Sequence, residues 1–192
     1  FVKIHDAYTY DDEGNPLVPH DATQCAVYLV RDPLDVAVSF ANHNNKPVQW
    51  TIDKQINNPR SFLAANPANN QFPQPLLGWS HHVKSWMDVT AFPVYMLRYE
   101  DMRADSFGVF RDIVAKLGLE YTDDQIRAAI EASSFEALRK QEAEKGFREK
   151  MALSPRFFNK GIVGNWKQEL TGEQVASIRR EHHEVRTRFG YQ

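Results

Sequence analysis

The chain has 192 residues, of which 42% are apolar and 25% are charged, a size and composition typical of one globular domain with a sizeable core. The formal net charge is −2 and the isoelectric point about 6.4, so the chain lacks the basic surface of a nucleic-acid-binding protein. No apolar run approaches the ~20 residues that a membrane span needs. We therefore expect a single domain, 1–192, that binds neither nucleic acid nor membrane.

The first residues indicate whether the domain is complete at its N-terminus, and the only cysteine indicates the cellular compartment. Residues 1–5 alternate apolar and polar side chains, which predicts a strand. Since a native chain rarely begins in mid-strand, we expect a longer protein whose domain is incomplete here at its N-terminus. Cys25 has no partner for an internal disulfide, which is consistent with a reducing compartment, so we expect a cytoplasmic protein.

Two buried-type strands follow in chain order. After an acidic, turn-rich loop, the apolar run 25–30 is typical of a strand covered on both faces. Pro33 suits the first turn of a helix that ends near 42–45. The second strand is "PVYML", 93–97.

The segment between these strands, 41–76, is rich in Asn, Pro and Gln, and a stretch of this length with weak periodicity predicts a lid or mobile excursion. Apolar residues at helical spacing, 79–87, predict a helix at its end. Beyond the second strand the pattern is helical, with N-terminal caps at three positions: Asp105, Thr122 with Gln125, and Thr171 with Gln174. The last helix is predicted to run unbroken over 173–189.

Strand, helix, strand and then helices predict an α/β fold of three layers, a parallel sheet flanked by helices. Open α/β sheets bind ligands beyond the carboxyl ends of their strands. Arg31 stands at such an end, and Ser39 lies on the helix that follows. The alternative is structural: Arg31 would pair with Asp35 or Glu100, and Ser39 would bond back to its helix. Spacing alone does not separate the two interpretations.

A second candidate stretch is "FFNKGIVGNWK", 157–167. Gly161 and Gly164 allow the backbone to approach a ligand closely, and Lys160 supplies a charge for a phosphate. Basic, glycine-containing loops are also often structural, so this stretch alone does not decide the matter.

Taken together, these stretches resemble the cytosolic-type sulfotransferases, which use 3′-phosphoadenosine 5′-phosphosulfate (PAPS) as donor. "YLVRDPLDVAVSF" (28–40) resembles the family's 3′-phosphate motif, and "LRYEDM" (97–102) and "SSFEAL" (133–138) resemble its nucleotide-contacting segments. "NKGIVGNWK" resembles its late glycine-containing loop. The resemblance implies the P-loop-type sulfotransferase fold and these nucleotide-binding residues: Arg31, Ser39, Tyr99, Ser133, Phe135, Asn159, Lys160 and Gly161.

"VKIH" at the start resembles the family's Lys-Thr-His strand. On a strand, Lys3 and His5 would share one face about 6.6 Å apart. The resemblance implies that His5 is the base that takes the acceptor's proton and that Lys3 offsets charge on the transferring group. The alternative for His5 is a solvated histidine at a strand end.

Three departures from the family pattern stand out. The strand–loop–helix that cradles the 5′-phosphosulfate is absent, and we expect it upstream of Phe1. Asn159 replaces an arginine and Asn165 an aspartate in the late loop. Of the family's dimer motif, Lys167 and Thr171 match while Gly172 and Ala176 do not. We therefore expect a monomer, or a dimer that does not use this motif.

The predicted function is transfer of a sulfuryl group from PAPS to a hydroxyl or amine of a small molecule, with no metal. Aromatic residues in and after the long segment predict an acceptor with an apolar or aromatic part: Trp50, Phe62, Phe72 and Trp79. One alternative is a sulfotransferase-like nucleotide-binding module without transfer activity. Another is a nucleotide kinase, but Arg31 stands where such an enzyme would place a Mg²⁺-binding carboxylate.

Three other groups contain side chains that can ligate a metal: the acidic first loop and two histidine pairs. An acidic group in the first loop is more typical of a solvated loop than of a divalent-metal site: Asp6, Asp11, Asp12 and Glu13. The pairs His81-His82 and His182-His183 are poor ligand sets, because adjacent residues on a helix point in different directions. We expect these four histidines on the surface.

Overall fold

The computed structural model describes residues 1–63, 72–147, 156–158 and 160–191. Two strands form its parallel sheet, β1 (Ala26–Val30) and β4 (Val94–Arg98), with Ala26 opposite Val94 and Val30 opposite Arg98. Two further strands, β2 (Phe62–Leu63) and β3 (Gln74–Pro75), form a short antiparallel pair. The α/β fold with a parallel sheet is confirmed.

Helices make up most of the remaining regular structure. The first half contains α1 (Pro33–Asn44), α2 (Val48–Thr51), a π-helical segment (Ile52–Ile56) and α3 (Trp79–Met87). After β4 come α4 (Tyr99–Ala104), α5 (Ser106–Lys116), α6 (Asp123–Ala132), α7 (Phe135–Lys145), α8 (Trp166–Glu169), α9 (Gly172–Glu181) and α10 (His183–Arg188). The three predicted caps are confirmed, and Thr122 and Thr171 each form a complete capping box. Within the described residues, no helix combines the length and apolar character that crossing a bilayer requires.

One face of the sheet packs on the main core. Val30 lies in that core with α1, α3, α9 and α10, represented by Leu34, Val83, Ile178 and Val185. On the opposite face Val27 and Leu29 remain 40% and 64% exposed. The expectation that β1 is covered on both faces is therefore not met within the described residues, because the residues that pack the core lie against the other face.

The predicted strand at 1–5 is wrong: these residues have no regular secondary structure. A strand needs a neighbouring strand to complete its hydrogen bonds, and no described strand pairs with this segment. The backbone is held by other contacts, since the Ala7 amide donates to Pro75 O at 2.8 Å and His5 O accepts a side-chain hydrogen bond.

The segment 41–76 is more ordered than predicted. Ile52 and Ile56, on the π-helical segment, are buried in the main core, so this part is scaffold and not lid. Residues 64–71 lie outside the described part of the chain. The last helix also differs from its prediction, because it is interrupted at His182 and forms two helices, α9 and α10.

Candidate active site

Nine of the ten residues that the sequence singled out line one cavity of about 1370 Å³, which lies beyond the ends of β1 and β4: Lys3, His5, Arg31, Ser39, Tyr99, Ser133, Phe135, Lys160 and Gly161. The tenth, Asn159, lies outside the described residues. These residues come from separate stretches of the chain, and only the fold brings them together.

Arg31 follows β1 directly and lies at the cavity wall. Its Nη2 atom donates to Ile162 O at 2.8 Å and lies 3.2 Å from Asp35 Oδ2, while its guanidinium stacks 4.4 Å above the ring of Tyr99. The structural pairing with Asp35 is therefore present, and Arg31 borders the cavity as well. Both polar contacts use Nη2, and Nε is buried without a hydrogen-bond partner among the described residues. A guanidinium carries five N–H groups, so donor capacity remains for an anion.

Asp35 holds the described part of the late loop, 160–167, against α1. Its side chain is 1% exposed, and its two carboxylate oxygens accept from the amides of Gly164 at 2.8 Å and Trp166 at 3.0 Å. Together with the Arg31 contact, this gives the buried carboxylate three donors, which offset its desolvation. The sequence named Asp35 only as a possible partner of Arg31; its role in placing the loop depends on residues about 130 positions away.

Gly161 and Phe135 meet at the cavity wall. Gly161 has φ +62°, and a Cβ at this position would lie 2.7 Å from the ring atoms Cδ2 and Cε2 of Phe135. The Tyr99 hydroxyl donates to Gly161 O at 3.3 Å. The glycine is needed here both for its backbone conformation and for the close approach of the aromatic ring.

The two predicted serines differ in how their hydroxyls are used. Ser39 is exposed on α1, and its hydroxyl has no hydrogen-bond partner among the described residues, so the bond back to the helix that the structural alternative called for is not formed. Ser133 instead donates to Ala129 O at 2.7 Å, at the end of α6. Of the two, Ser39 has the hydroxyl that is available to a ligand.

Lys160 is tied to the late loop itself. Its Nζ atom lies 2.6 Å from Glu169 Oε1 and 3.2 Å from Asn165 Oδ1. Asn165, which departs from the family pattern, thus still accepts from this lysine. Because the pair is exposed, its net contribution to stability is about 0–1 kcal/mol, and a ligand anion can compete for the lysine.

Lys3 and His5 reach the cavity from the irregular segment that precedes β1. Both are exposed, and both line the cavity that the late-loop residues Lys160 and Gly161 also line. Because residues 1–5 form no strand, Lys3 and His5 do not share a strand face, but both side chains border the cavity.

The sequence matches the family model of the sulfotransferase domain over residues 23–190. The chain belongs to the sulfotransferase family. Cytosolic sulfotransferase 17 of Arabidopsis thaliana is 28% identical, over 87% of this chain and 54% of its own length. Luciferin sulfotransferase of Photinus pyralis is 27% identical, over 91% of this chain and 47% of its own length. The chain thus spans about half the length of these curated relatives.

Two solved structures share the fold. Mouse sulfotransferase SULT7A1 complexed with PAP superposes with a TM-score of 0.61, at 22% identity over 83% of this chain and 57% of its own. Retinol dehydratase in complex with androsterone and PAP gives 0.64, at 24% identity over 88% and 50%. At this level of identity the likeness establishes the architecture alone.

Sequence reasoning missed several residues of this sulfotransferase-family cavity. Arg103, His43 and Arg156 line it as well. Arg103 comes four residues after Tyr99 and His43 four after Ser39, so each shares a helix face with a predicted residue, a signal that was available. His43 stacks on Phe40 with ring centres 6.1 Å apart and meets the edge of Phe157 at 5.7 Å.

Of the aromatic residues predicted to meet the acceptor, only Phe72 is among the described residues that line the cavity. Trp79 is buried in the core, where its Nε1 donates to Arg31 O at 3.0 Å, and it therefore supports the site from behind. Trp50 and Phe62 are partly exposed elsewhere.

The other residues considered as metal ligands, in the acidic first loop and the two histidine pairs, make contacts within the protein or lie on its surface. Asp11 accepts from the side chain and backbone amide of Asn15, hydrogen bonds that lower the pKa of its carboxyl group. Among the described residues, no three His, Cys, Asp or Glu side chains are placed to share a metal ion. The surface prediction holds for His81 and His183 and is wrong for His82, which is partly buried, and His182, which is 2% exposed.

Proposed function

We propose that the whole protein is a sulfotransferase that moves the sulfuryl group of PAPS to a hydroxyl or amine of a small molecule. The observation that carries this proposal is the cavity, whose described wall holds the nine residues named from the family's motifs. Chance would scatter residues from five separate stretches over the surface. Mouse sulfotransferase SULT7A1 and retinol dehydratase are each solved in complex with PAP, adenosine 3′,5′-bisphosphate, which is the product that this reaction leaves.

The chain's residues divide into donor-side and acceptor-side groups. Arg31 and Ser39 are assigned to the 3′-phosphate, since both line the cavity and the contacts within the described residues leave N–H groups of Arg31 and the hydroxyl of Ser39 unused. The residues assigned to the adenosine are Tyr99, Ser133, Phe135 and Gly161. Two residues of the late loop, Asn159 and Lys160, are assigned to the 3′-phosphate pocket beside it. PAPS would enter as a co-substrate.

On the acceptor side, His5 is the proposed base. It takes the proton of the acceptor hydroxyl while the oxygen attacks sulfur, and the bond from sulfur to the 5′-phosphate oxygen breaks. The products are a sulfate ester, adenosine 3′,5′-bisphosphate and the proton on His5. Lys3 offsets the negative charge on the group in transit, as cations do in phosphoryl transfer.

The proposed acceptor has a hydroxyl or amine on an apolar body. Apolar side chains contribute much of the cavity's described lining, among them Phe40, Leu63, Phe72, Met102 and Phe157. Relatives act on or bind molecules of this kind, since one is named for luciferin and solved structures hold androsterone or retinol. We propose this class of acceptor and no particular compound.

The test uses full-length protein, labelled PAPS and a panel of phenols, alcohols and amines. We expect transfer to at least one class of acceptor, and His5→Ala to lower turnover by about 10²–10⁴-fold, the contribution of a positioned base. Affinity for adenosine 3′,5′-bisphosphate, measured by calorimetry, should be nearly unchanged. His81→Ala is the matched control, because His81 is exposed and does not line the cavity.

Two results would contradict the proposal in different ways. If His5→Ala removes nucleotide binding together with turnover, His5 has a structural role. If the wild-type protein binds the bisphosphate but transfers sulfate to nothing in the panel, the protein is a nucleotide-binding module without transfer activity.

A further inference from the structure

One face of α3 holds the backbone of the segment that carries His5. His82 Nε2 lies 3.1 Å from His5 O, Trp86 Nε1 donates to Asp6 O at 2.9 Å, and the Tyr8 amide donates to Ser85 Oγ at 3.0 Å. Positions 82, 85 and 86 are spaced three and four apart and therefore share a helix face. We call these three side chains the α3 clamp.

The hydrogen-bond partners of His82 determine its proton position. A carbonyl oxygen only accepts, so Nε2 carries the proton and donates to His5 O. In the neutral ring Nδ1 then accepts, and its partner is the Tyr28 hydroxyl of β1 at 2.8 Å. Burial lowers the pKa of His82 and raises the pKa of Tyr28, so both groups are neutral near pH 7. Tyr28 thus fixes the tautomer that the clamp requires.

The clamp matters because, in the part of the chain that the structure describes, no strand pairs with the segment that carries His5. Residues 1–5 lie in no strand, and the residue itself is exposed at the cavity wall. A general base must be held within hydrogen-bond reach of the proton that it abstracts. The chain of contacts from Tyr28 through His82 to His5 O connects the base to β1 and α3, and the Ala7 amide connects the same segment to Pro75 O of β3.

We infer that His82, oriented by Tyr28, is a positioning residue for His5. The inference rests on the proposed role of His5 as base. It assigns a function to a histidine that the sequence placed on the surface, and it predicts an effect on turnover that does not pass through nucleotide binding, since His82 is not among the residues that line the cavity.

The test compares two substitutions in the full-length protein. His82→Phe keeps a ring of similar size and removes the donor to His5 O, whereas His82→Gln restores an amide N–H near the position of Nε2. We expect His82→Phe to lower kcat by about 10–100-fold, the cost of misplacing a catalytic group by roughly 1 Å. The acceptor KM and the affinity for adenosine 3′,5′-bisphosphate should be nearly unchanged, and His82→Gln should recover most of the lost kcat. His81→Phe, one residue away and exposed, is the control.

A second variant and a second readout keep the inference open to refutation. Tyr28→Phe removes only the hydroxyl that fixes the tautomer and should lower kcat by a smaller factor even if His82→Phe folds poorly. Hydrogen exchange at the Ala7 and Tyr8 amides should accelerate in His82→Phe, whether or not any acceptor is turned over. Unchanged kcat and exchange in both variants, or a His82→Gln protein as impaired as His82→Phe, would overturn the positioning role. A wild-type protein without transfer, in which exchange still responds to His82→Phe, would remove the proposed function and leave the clamp.

Discussion

Arg31 and Arg98 make the same kinds of contact with the protein, with shorter polar distances at Arg31. Arg31 stacks 4.4 Å above Tyr99 and Arg98 stacks 4.5 Å above Tyr191. Each donates through Nη2 to a backbone carbonyl, at 2.8 Å and 3.4 Å respectively, and each lies near an aspartate on the following helix. They differ in place, because only Arg31 is among the residues that line the cavity. This pair separates the cost of losing a structural arginine from the cost of losing a ligand contact.

Replacing Arg31 with Ala should weaken the binding of adenosine 3′,5′-bisphosphate by ~2–3 kcal/mol, the usual worth of a charge-assisted hydrogen bond in a partly desolvated site. Arg98→Ala should leave this affinity nearly unchanged while removing comparable protein contacts. Calorimetry on the two full-length variants measures both. Equal losses would mean that Arg31 acts through folding, and an unchanged affinity in Arg31→Ala would leave it only the structural pair with Asp35.

The late loop between Lys160 and Trp166 is placed by backbone conformation as much as by side chains. Gly161 and Gly164 both have positive φ, +62° and +78°. A Cβ at Gly161 would meet the ring of Phe135 at 2.7 Å, whereas at Gly164 the nearest atom is Lys167 Cε at 3.9 Å. The two glycines share the conformational requirement and differ in the space around them.

Substitution of each glycine by Ala should therefore have a common and a distinct effect. Both variants should lose about 1–2 kcal/mol of unfolding free energy, the cost of a left-handed backbone for a residue with a Cβ. Only Gly161→Ala should also lose nucleotide affinity, because Phe135 must move from its place at the cavity wall. Urea unfolding and calorimetry report the two effects, and an equal loss of affinity in both variants would contradict the role given to Phe135.

His182 couples three parts of the molecule. It lies at the break between α9 and α10, with Nδ1 2.8 Å from Ser80 Oγ of α3 and Nε2 3.1 Å from Asn57 Oδ1 after the π-helical segment. Asn57 Oδ1 only accepts, so Nε2 carries the proton and Nδ1 accepts from Ser80. Burial, with the charge of Arg186 second, lowers the pKa of this ring to about 4 from its ordinary 6.5.

The depressed pKa predicts an acid-sensitive fold. Above pH 6.5 the ring is neutral in both the folded and unfolded chain, so it adds no pH dependence. As pH falls from 6.5 toward 4 the unfolded chain binds the proton first, and stability is lost, by roughly 3 kcal/mol across the window. In urea unfolding at pH 7 and pH 5, His182→Gln should lose less stability than the wild type by about 2 kcal/mol. His183→Gln is the control, since its side chain is exposed; an unchanged pH slope in His182→Gln would contradict this account.

The assembly state of the molecule stays a prediction. Thr171 caps α9, so its side-chain oxygen is committed to the amide of Gln174, and the next positions of the family's dimer motif are Gly172 and Ala176. A glycine and an alanine offer little apolar area to a partner. We expect light scattering on the full-length protein to show a monomer, or a dimer whose contacts lie elsewhere. A dimer centred on 167–176 would contradict this expectation.

Interactions between residues close in sequence account for much of the secondary structure that could be predicted. The apolar run 25–30 became β1, Pro33 began α1, and the capping boxes at Thr122 and Thr171 formed, because strands of this kind and helix ends depend on residues close in sequence. The cavity residues were also named in advance, through motifs that resemble a family; their roles remain predictions.

Only the tertiary structure decided the features that depend on distant partners. Residues 1–5 have a strand's period, but none of the described strands lies beside them, and the α3 clamp holds the backbone of this segment. His82 and His182 turn inward while their neighbours turn out, a choice that helical spacing permits but does not make. Asp35 became the anchor of the late loop because Gly164 and Trp166 lie beside it in the fold. Most polar groups buried in a protein have a hydrogen-bond partner, and which partner each one has is set by how the chain packs.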